Sequence, residues 1–414
     1  MKKALIVTAI GGFLPQFELN DVKILQDYGF QVHYASNFSN NVYSLDQAEL
    51  KNKGIHLHHI DIEKSPFAAR HNMRAFQQIR KIIREENITL VHCHNPVGAL
   101  VGRLAAHYSK EKPYTIYTAH GFHFYKGAPL KNWLFYYPVE KWLARKTDLL
   151  ITINREDFER GKKFQLKSGG KVERIYGVGV DMKKFRKKQE KNLYYRKKIG
   201  IPAGAFHIVT AAELNENKNQ KVVIEAIKLL GRKDVYYTIC GKGKNKERLE
   251  KMIQEYGLEK QVKLLGYRTD IADILQTADC FAFPSIREGL GIAAIEALAV
   301  EVPLLVADNR GTKEYTKDDY NGIVCEAGDA VGFKNAIEKL YTDYSYRGFL
   351  SRHCREIAER FSVEATDKVM RRIYGEVASK LRGEVLLRAE ENGRQAVSCF
   401  CEQAEEKTEG SAVS

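Results

Sequence analysis

The sequence predicts an α/β protein built from two doubly wound parallel-sheet domains facing each other across a cleft. Short apolar, β-rich runs alternate with helical patterns, the signature of a parallel sheet with helices on both faces. That alternation pauses once, at IYGVGVD (175–181) and the basic stretch behind it, and then restarts. The chain is also 414 residues long, more than one ordinary core accommodates.

In chain order, strand Ala4–Thr8 leads to a helix near Phe17–Tyr28 and strand Gln31–Ala35. Strand Ile55–Ile60, a helix around Arg70–Glu86, strand Thr89–Cys93 and a helix near Val97–Tyr108 follow. Strand Tyr114–Thr118, a helical segment to about Lys146 and strand Leu149–Ile153 complete the first half. The second half opens at Phe206–Ala211 and continues with helix Lys221–Leu230, strand Tyr236–Cys240, helix Lys246–Tyr256 and strand Val262–Leu265. A short helix Ile271–Gln276, strand Cys280–Phe283, helix Ile292–Ala299 and strand Leu304–Ala307 come next. From Gly332 to about Gly383 the pattern is mostly helical. The expected organisation is a first domain over 1–182, a second over 200–364, a helix over 365–384 packing back on the first domain, and a disordered polar tail over 386–414. Open α/β sheets bind ligands beyond the carboxyl ends of their strands, so the cleft is the expected site.

Composition narrows the class. With 44% hydrophobic and 29% charged residues the chain reads as an ordinary soluble globular protein. The opening MKKALIVTAIGGF runs straight into a βα pattern and reads as a first strand, not a signal peptide. No run of about 18 apolar residues exists to span a membrane. Seven scattered cysteines, among them Cys93, Cys240 and Cys280 inside predicted strands, read as reduced cytoplasmic thiols. Cys399 and Cys401 stand too close together, without a second pair, to make a metal site.

The net charge of +14 permits a polyanionic partner, but the excess is local: Lys183–Lys198 carries nine basic residues. Without zinc-finger spacing or an aromatic RNA-binding signature, nucleic acid is not an expected partner. Between Lys126 and Lys146, Trp133, Phe135, Tyr136, Tyr137 and Trp142 sit among five basic residues. That segment reads either as core or as a helix contacting an anionic membrane surface, with Pro138 interrupting a clean amphipathic period.

The chemistry concentrates in PSIREGLGIAAIEALAVEVP (284–303), where seven residues separate Glu288 from Glu296 and Gly289 and Gly291 follow the first carboxylate. Glycines let backbone approach a ligand, and a helix N-terminus attracts anions. Carboxylates beside such a loop suit the hydroxyls of the same ligand. A diphosphate between two polyols, a nucleotide sugar, satisfies all three. On the residues alone, an exposed loop glutamate and a solvated helix glutamate remain the alternative.

This stretch resembles the signature of glycosyltransferase family 4, retaining enzymes of the GT-B fold (two Rossmann-like domains) that use nucleotide-sugar donors. ELNENKNQ (213–220), CGKGK (240–244), LGYRTDI (265–271), ADCFAFPS (278–285) and GVGVD (177–181) match in order. HCHNPVGALVGRLAA (92–106) and YTAHGFHFYKGAPLKNWLFYYPVEKWLARKTDLLITIN (117–154) resemble bacterial members that build capsular and exopolysaccharides. The resemblance covers roughly residues 1–380.

It implies that Glu296 accepts from the ribose hydroxyls, that Glu288 meets the donor sugar, and that the backbone N–H groups of Gly289, Leu290, Gly291 and Ile292 face sugar and diphosphate. Lys218 matches the lysine that neutralises the diphosphate. The family's arginine five positions earlier is Glu213 here, with Arg287, Lys242 or Lys313 as candidate replacements. His120 is implied to approach the donor sugar, and His123 either serves the acceptor side or caps a loop. Gly11 and Gly12 match a loop facing phosphate or acceptor, but the histidine that often follows is absent before His33. Gly241, in a GxG turn with Gly243, is a further donor-side candidate. No Asp-x-Asp motif ends a strand, in keeping with a family that needs no obligatory metal or other cofactor.

The implied activity is retaining transfer of a hexose or N-acetylhexosamine from a UDP-sugar to a polyprenyl-diphosphate-linked saccharide, in the cytoplasm at the inner face of the membrane. A nucleotide-sugar 2-epimerase or a non-catalytic nucleotide-sugar-binding subunit of the same fold are the alternatives.

Overall fold

The computed structural model describes residues 2–39, 43–188 and 193–383; the expected tail at 386–414 lies outside them. Among the described residues thirteen parallel strands make two sheets. β1 (Lys2–Val7), β2 (Phe30–Ser36), β3 (Ile55–His59), β4 (Leu90–His94), β5 (Tyr114–Ala119), β6 (Leu149–Thr152) and β7 (Lys171–Arg174) form a seven-stranded sheet in the order β3-β2-β1-β4-β5-β6-β7. β8 (Phe206–Ala211), β9 (Val235–Cys240), β10 (Val262–Gly266), β11 (Cys280–Phe283), β12 (Leu304–Ala307) and β13 (Gly322–Cys325) form a six-stranded one, β10-β9-β8-β11-β12-β13. The predicted fold class, two parallel-sheet α/β domains, is the one observed.

Each order reverses once, between β1 and β4 and between β8 and β11. At such a switch point neighbouring strands send their connections to opposite faces of the sheet, leaving a crevice at their carboxyl ends. ELNENKNQ (213–220) follows β8, and the stretch from Pro284 follows β11, so the second switch point collects both.

The described residues divide into two compact units: Met1–Cys93, Val97–Thr115 and the described residues from Lys368 form one, and His94–Pro96 with Ile116–Asp367 form the other. In the first, residues 363–383 end the described chain as a helix whose part beyond Lys368 is tied to that unit. Tyr374 donates its hydroxyl to Asp21 (2.9 Å) and meets His92 Nδ1 at 2.8 Å, while Arg371 pairs with Asp27 at 2.8 Å. In the second, the core joins the six-stranded sheet to its helices through Val223, Ile227, Tyr237, Ile239, Ala282 and Leu305, all nearly inaccessible. Strands buried on both faces give the near-continuous apolar runs that made them legible.

Several expectations need correction. The helix placed near Phe17–Tyr28 is two helices, Phe13–Phe17 and Leu19–Asp27, broken where Glu18 leaves helical geometry (φ −125°, ψ 11°). The helical segment expected to run to about Lys146 is the helix Leu130–Ala144, which continues through Pro138. Short elements went unread: the helices Gln47–Asn52 and Arg155–Gly161, capped by Asp46 and Asn154, and the partly exposed edge strands β7 and β13. Short edge strands bury little, so their apolar signal is weak.

The basic stretch is also more than solvated surface. Lys187 pairs with Glu301 and Lys188 with Asp273, each at 2.7 Å. Arg196 is fully buried, donating to Asp279 (2.8 Å) and to the carbonyls of Thr277 (2.7 Å) and Ala205 (2.8 Å). Removing one partner of a buried pair strands the other charge. Arg347 stays 3.7 Å from Asp279 and offsets part of that. Arg196→Ala is therefore expected to cost about 3 kcal/mol, the low end for such losses, read as a lowered urea midpoint with unchanged slope.

Candidate functional site

Two loops at the carboxyl ends of β8 and β11 are stitched together by asparagines. Asn217 donates to the Arg287 carbonyl (2.9 Å) and accepts, through its own carbonyl, from Ile286 N–H (2.8 Å). Asn219 takes the left-handed conformation (φ 52°) and donates to the carbonyls of Pro284 (3.2 Å) and Ala327 (2.6 Å). This explains why ELNENKNQ is rich in asparagine: short amides bridge backbone and tolerate αL geometry. Lys218 is thereby held with its ammonium 2.5 Å from Glu288 Oε1 and 5.1 Å from the Phe283 ring centroid. Glu288 itself is buried.

The helix Ile292–Ala299 begins just beyond. Its N-cap, Gly291, has φ 95°, and a Cβ there would lie 2.5 Å from the Phe283 ring and 2.8 Å from the Tyr315 hydroxyl, so only glycine fits. No side chain caps this helix and no acidic residue sits in its first turn, which leaves its N–H groups for an anion. The buried Tyr315 hydroxyl has no hydrogen-bond partner among the described residues. Ile292 opens the helix half-exposed, whereas the Leu290 side chain is buried and packs toward Gly177. Leu290 thus has only its backbone to offer a ligand.

Glu296, one turn into the helix, is half-buried, and burial raises its carboxyl to about 7, with Lys184 opposing. His120 directly follows β5, and burial lowers its imidazole to about 4, so it is neutral at pH 7. Its Nε2 lies 3.1 Å from His94 Nδ1. His123 is likewise lowered to about 4, by burial and then by Arg287 and Arg310, and it stacks on Tyr136 at 4.6 Å.

His120 and Glu288 are joined through backbone. A Cβ on Gly289 would fall 2.1 Å from the His120 carbonyl oxygen, and one on Gly121 (φ 134°) 3.2 Å from Gly289 Cα. Asn154 donates to the Gly289 carbonyl (3.0 Å). Arg310 fastens the same junction: it donates to the Glu288 carbonyl (3.3 Å) and the Phe122 carbonyl (2.6 Å), and pairs with buried Asp157 at 2.5 Å. Asp157 also accepts from Phe122 N–H (3.0 Å).

Asn154, Asp157, Arg310 and Tyr315 were not singled out from the sequence. Asn154 and Asp157 open a seven-residue helix after β6, in a cap pattern legible only as a helix start. Arg310 sits in a loop with no motif around it.

The remaining candidates are placed less directly. Gly12 caps the helix Phe13–Phe17 in the first unit, where a Cβ would strike the Tyr43 carbonyl at 2.6 Å. Gly11 donates to the Asn37 carbonyl (3.2 Å). Gly241 is a close approach of backbone to backbone, a Cβ there falling 1.8 Å from the Ala212 carbonyl oxygen. Glu213 is exposed. Of its candidate substitutes, Lys313 is paired with Asp308 at 2.9 Å, Lys242 is exposed beside the Tyr267 ring, and Arg287 lies 5.9 Å from the Tyr125 ring centroid. In the first unit, ligand atoms of His33, His58 and Glu86 lie within 4.8 Å of one another, but the carboxylate already pairs with Lys3 at 2.8 Å. Cys93, Cys240, Cys280, Cys325 and Cys354 are free thiols.

Glu296 gives a pH test of this geometry. A carboxyl held near 7 in the fold against an ordinary 4.5 binds more protons folded than unfolded between those values. Its contribution is therefore fully present below about 4.5 and is lost as pH rises through 7. Relative to the parent, Glu296→Gln is expected to gain on the order of 2 kcal/mol of stability between pH 5 and pH 8, measured by denaturant unfolding at both.

Comparison with known proteins bears on the family and the fold. Residues 192–360 match the family described as glycosyl transferases group 1, and residues 9–154 the one described as glycosyl transferase 4-like. A Bacillus subtilis protein described as "Putative glycosyltransferase EpsD" is 38% identical over 377 residues, covering 90% of this chain and 96% of the relative. An Escherichia coli UDP-Gal:alpha-D-GlcNAc-diphosphoundecaprenol alpha-1,3-galactosyltransferase is 29% identical over 305 residues, covering 72% and 78%. The Anabaena HepE structure in complex with UDP-glucose superposes with a TM-score of 0.74 at 19% identity, over 91% of this chain and all of that one. Sucrose-phosphate synthase from Thermosynechococcus elongatus gives 0.74 at 16% identity, over 92% of this chain and all of that one. With one such relative matched almost end to end and the two family matches lying on its two halves, this chain is a glycosyltransferase of the group 1 and 4-like family, with the GT-B fold.

Proposed function

We propose that this chain transfers a hexosyl or N-acetylhexosaminyl residue, with retained configuration, from a UDP-sugar to a polyprenyl-diphosphate-linked saccharide during cell-surface polysaccharide synthesis. The observation that carries the reading is the Lys218 ammonium against Glu288, beside the uncapped N-terminus of Ile292–Ala299. Cation and helix N–H groups suit a departing nucleoside diphosphate, and the carboxylate suits sugar hydroxyls. The printed names of the E. coli relative (UDP-Gal, diphosphoundecaprenol) and of the Anabaena complex (UDP-glucose) support donor and acceptor class.

In this reading Glu296 accepts from the ribose hydroxyls, and the N–H groups of Gly289–Ile292 meet sugar and diphosphate. The diphosphate takes Lys218 from Glu288, freeing that carboxylate for the donor sugar. His120, neutral at working pH, holds a sugar hydroxyl as hydrogen-bond partner, not as a cation. The acceptor hydroxyl attacks the anomeric carbon on the face the diphosphate leaves, and its proton passes to the departing phosphate oxygen. Gly241 keeps the loop after β9 close to the donor. The chemistry as drawn uses no metal or other cofactor.

A place in the cytoplasm at the inner face of the membrane is part of the proposal. No described helix is long and apolar enough to cross a membrane. The helix Leu130–Ala144 nevertheless exposes Leu130 (72%), Leu134 (64%), Phe135 (71%) and Trp142 (44%), with Lys131 and Lys141 beside them. Trp133 and Tyr137 instead pack on Phe124. An apolar face bordered by cations fits an anionic bilayer surface.

In a transfer assay with UDP-sugars and a lipid-diphosphate acceptor, Lys218→Ala and Glu288→Gln are each expected to lower turnover by about 10²–10³-fold. Near-parental rates for both overturn the assignment, and interconversion of donors without acceptor points to an epimerase. Leu134→Ser with Phe135→Ser is expected to abolish co-sedimentation with anionic liposomes at low salt; parental sedimentation removes the membrane from the reading.

A further inference from the structure

Outside the Lys218–Glu288 site, the second unit holds a cavity of about 1090 Å³ with a pronounced charge imbalance. Four carboxylates line it, and each already has a cation: Glu156 with Arg160 (2.8 Å), Glu159 with Lys162 (3.3 Å), Asp308 with Lys313 (2.9 Å) and Glu314 with Arg174 (2.5 Å). The lining cation Arg310 is spent on Asp157. Lys126, Arg155, Arg287 and Arg360 are left over, lining the cavity with no carboxylate at ion-pair distance among the described residues. Four like charges around one space repel one another unless something anionic enters it.

We propose that this cavity is a second anion site, distinct from the nucleotide site, and that it takes a diphosphate. Three of its four free cations are arginines, whose planar forks suit phosphate oxygens. Four cations exceed what a single phosphate balances, and the volume leaves room for groups attached to a diphosphate. Arg287 directly precedes Glu288, and Arg310 donates to the Glu288 carbonyl at 3.3 Å, so a bound diphosphate sits beside the proposed reacting centre.

The rim also has an apolar continuation. Ile286 lines the cavity at 51% exposure, and three residues beyond Gly127, another lining residue, the helix Leu130–Ala144 begins with its exposed Leu130 and Leu134. Charge inside and apolar surface at the rim fit an amphiphile, a diphosphate carrying a hydrocarbon chain. That choice of source rests on the proposed transferase reading; the anion site rests on the cavity alone.

The test uses the full chain saturated with UDP, which occupies the nucleotide site, titrated calorimetrically with inorganic pyrophosphate and separately with farnesyl diphosphate. Pyrophosphate is expected to bind at one further site, at least tenfold more weakly in Arg155→Gln/Arg360→Gln. UDP affinity, expected to stay unchanged in that variant, reports its fold. No binding beyond UDP, or equal binding by parent and variant, overturns the site. Tighter binding of farnesyl diphosphate than of pyrophosphate supports the lipid source, and equal affinities overturn that source in favour of a free diphosphate. If UDP itself fails to bind, the nucleotide reading falls, and the pyrophosphate titration without UDP decides the cavity independently.

Discussion

The site depends on one steric constraint, the contact of Gly289 with the carbonyl of His120. A single methyl group on Gly289 would sit 2.1 Å from that oxygen, so the β5 loop and the β11 loop meet backbone to backbone. Such proximity is stable only if the polar groups it buries are satisfied. Asn154 takes the Gly289 carbonyl, Arg310 takes those of Glu288 and Phe122, and Asp157 neutralises Arg310 while accepting from Phe122 N–H. Burial raises the Asp157 carboxyl and lowers the Arg310 guanidinium, and each partner opposes the other's shift. A buried pair of this kind fixes geometry more than it adds stability.

Around that junction the charges are arranged in complementary fashion. Lys218 is aimed at Glu288 by asparagines that bond to backbone and carry no charge of their own. Glu296, with no ion-pair partner among the described residues, is left near half-ionised at neutral pH by its burial. A carboxyl so poised is sensitive to hydroxyls arriving beside it, because hydrogen bonds to the anion pull its pKa back down. Burial keeps His120 neutral as well, so its imidazole adds no charge to the site at neutral pH.

Much of this was legible in sequence, and unevenly so. β8, β11, β12 and the helix Ile292–Ala299 matched their predicted limits: β11 and β12 are buried and apolar throughout, and the other two are mostly so. Glu288, Gly289, Gly291 and Glu296 stood out because they share one short stretch whose spacing resembles a known family's signature. Arg310, Asp157 and Asn154 did not, because each is an ordinary polar residue whose partner lies far along the chain. The aromatic segment was readable only as a choice between core and surface. Packing divides it, with Trp133 and Tyr137 against Phe124 and with Leu134 and Phe135 exposed.

By itself the sequence determined the two parallel-sheet domains, the family and the Glu288–Glu296 stretch as the candidate site, because those are written in local periodicity and in residues close together in the chain. Tertiary structure decided which cations are free and which are spent. Lys313 and Arg196, both conspicuous as charges, are paired, whereas Arg155, Arg287 and Arg360 line a cavity unpaired. Ion pairing is set by distance in space, to which separation along the chain gives no guide.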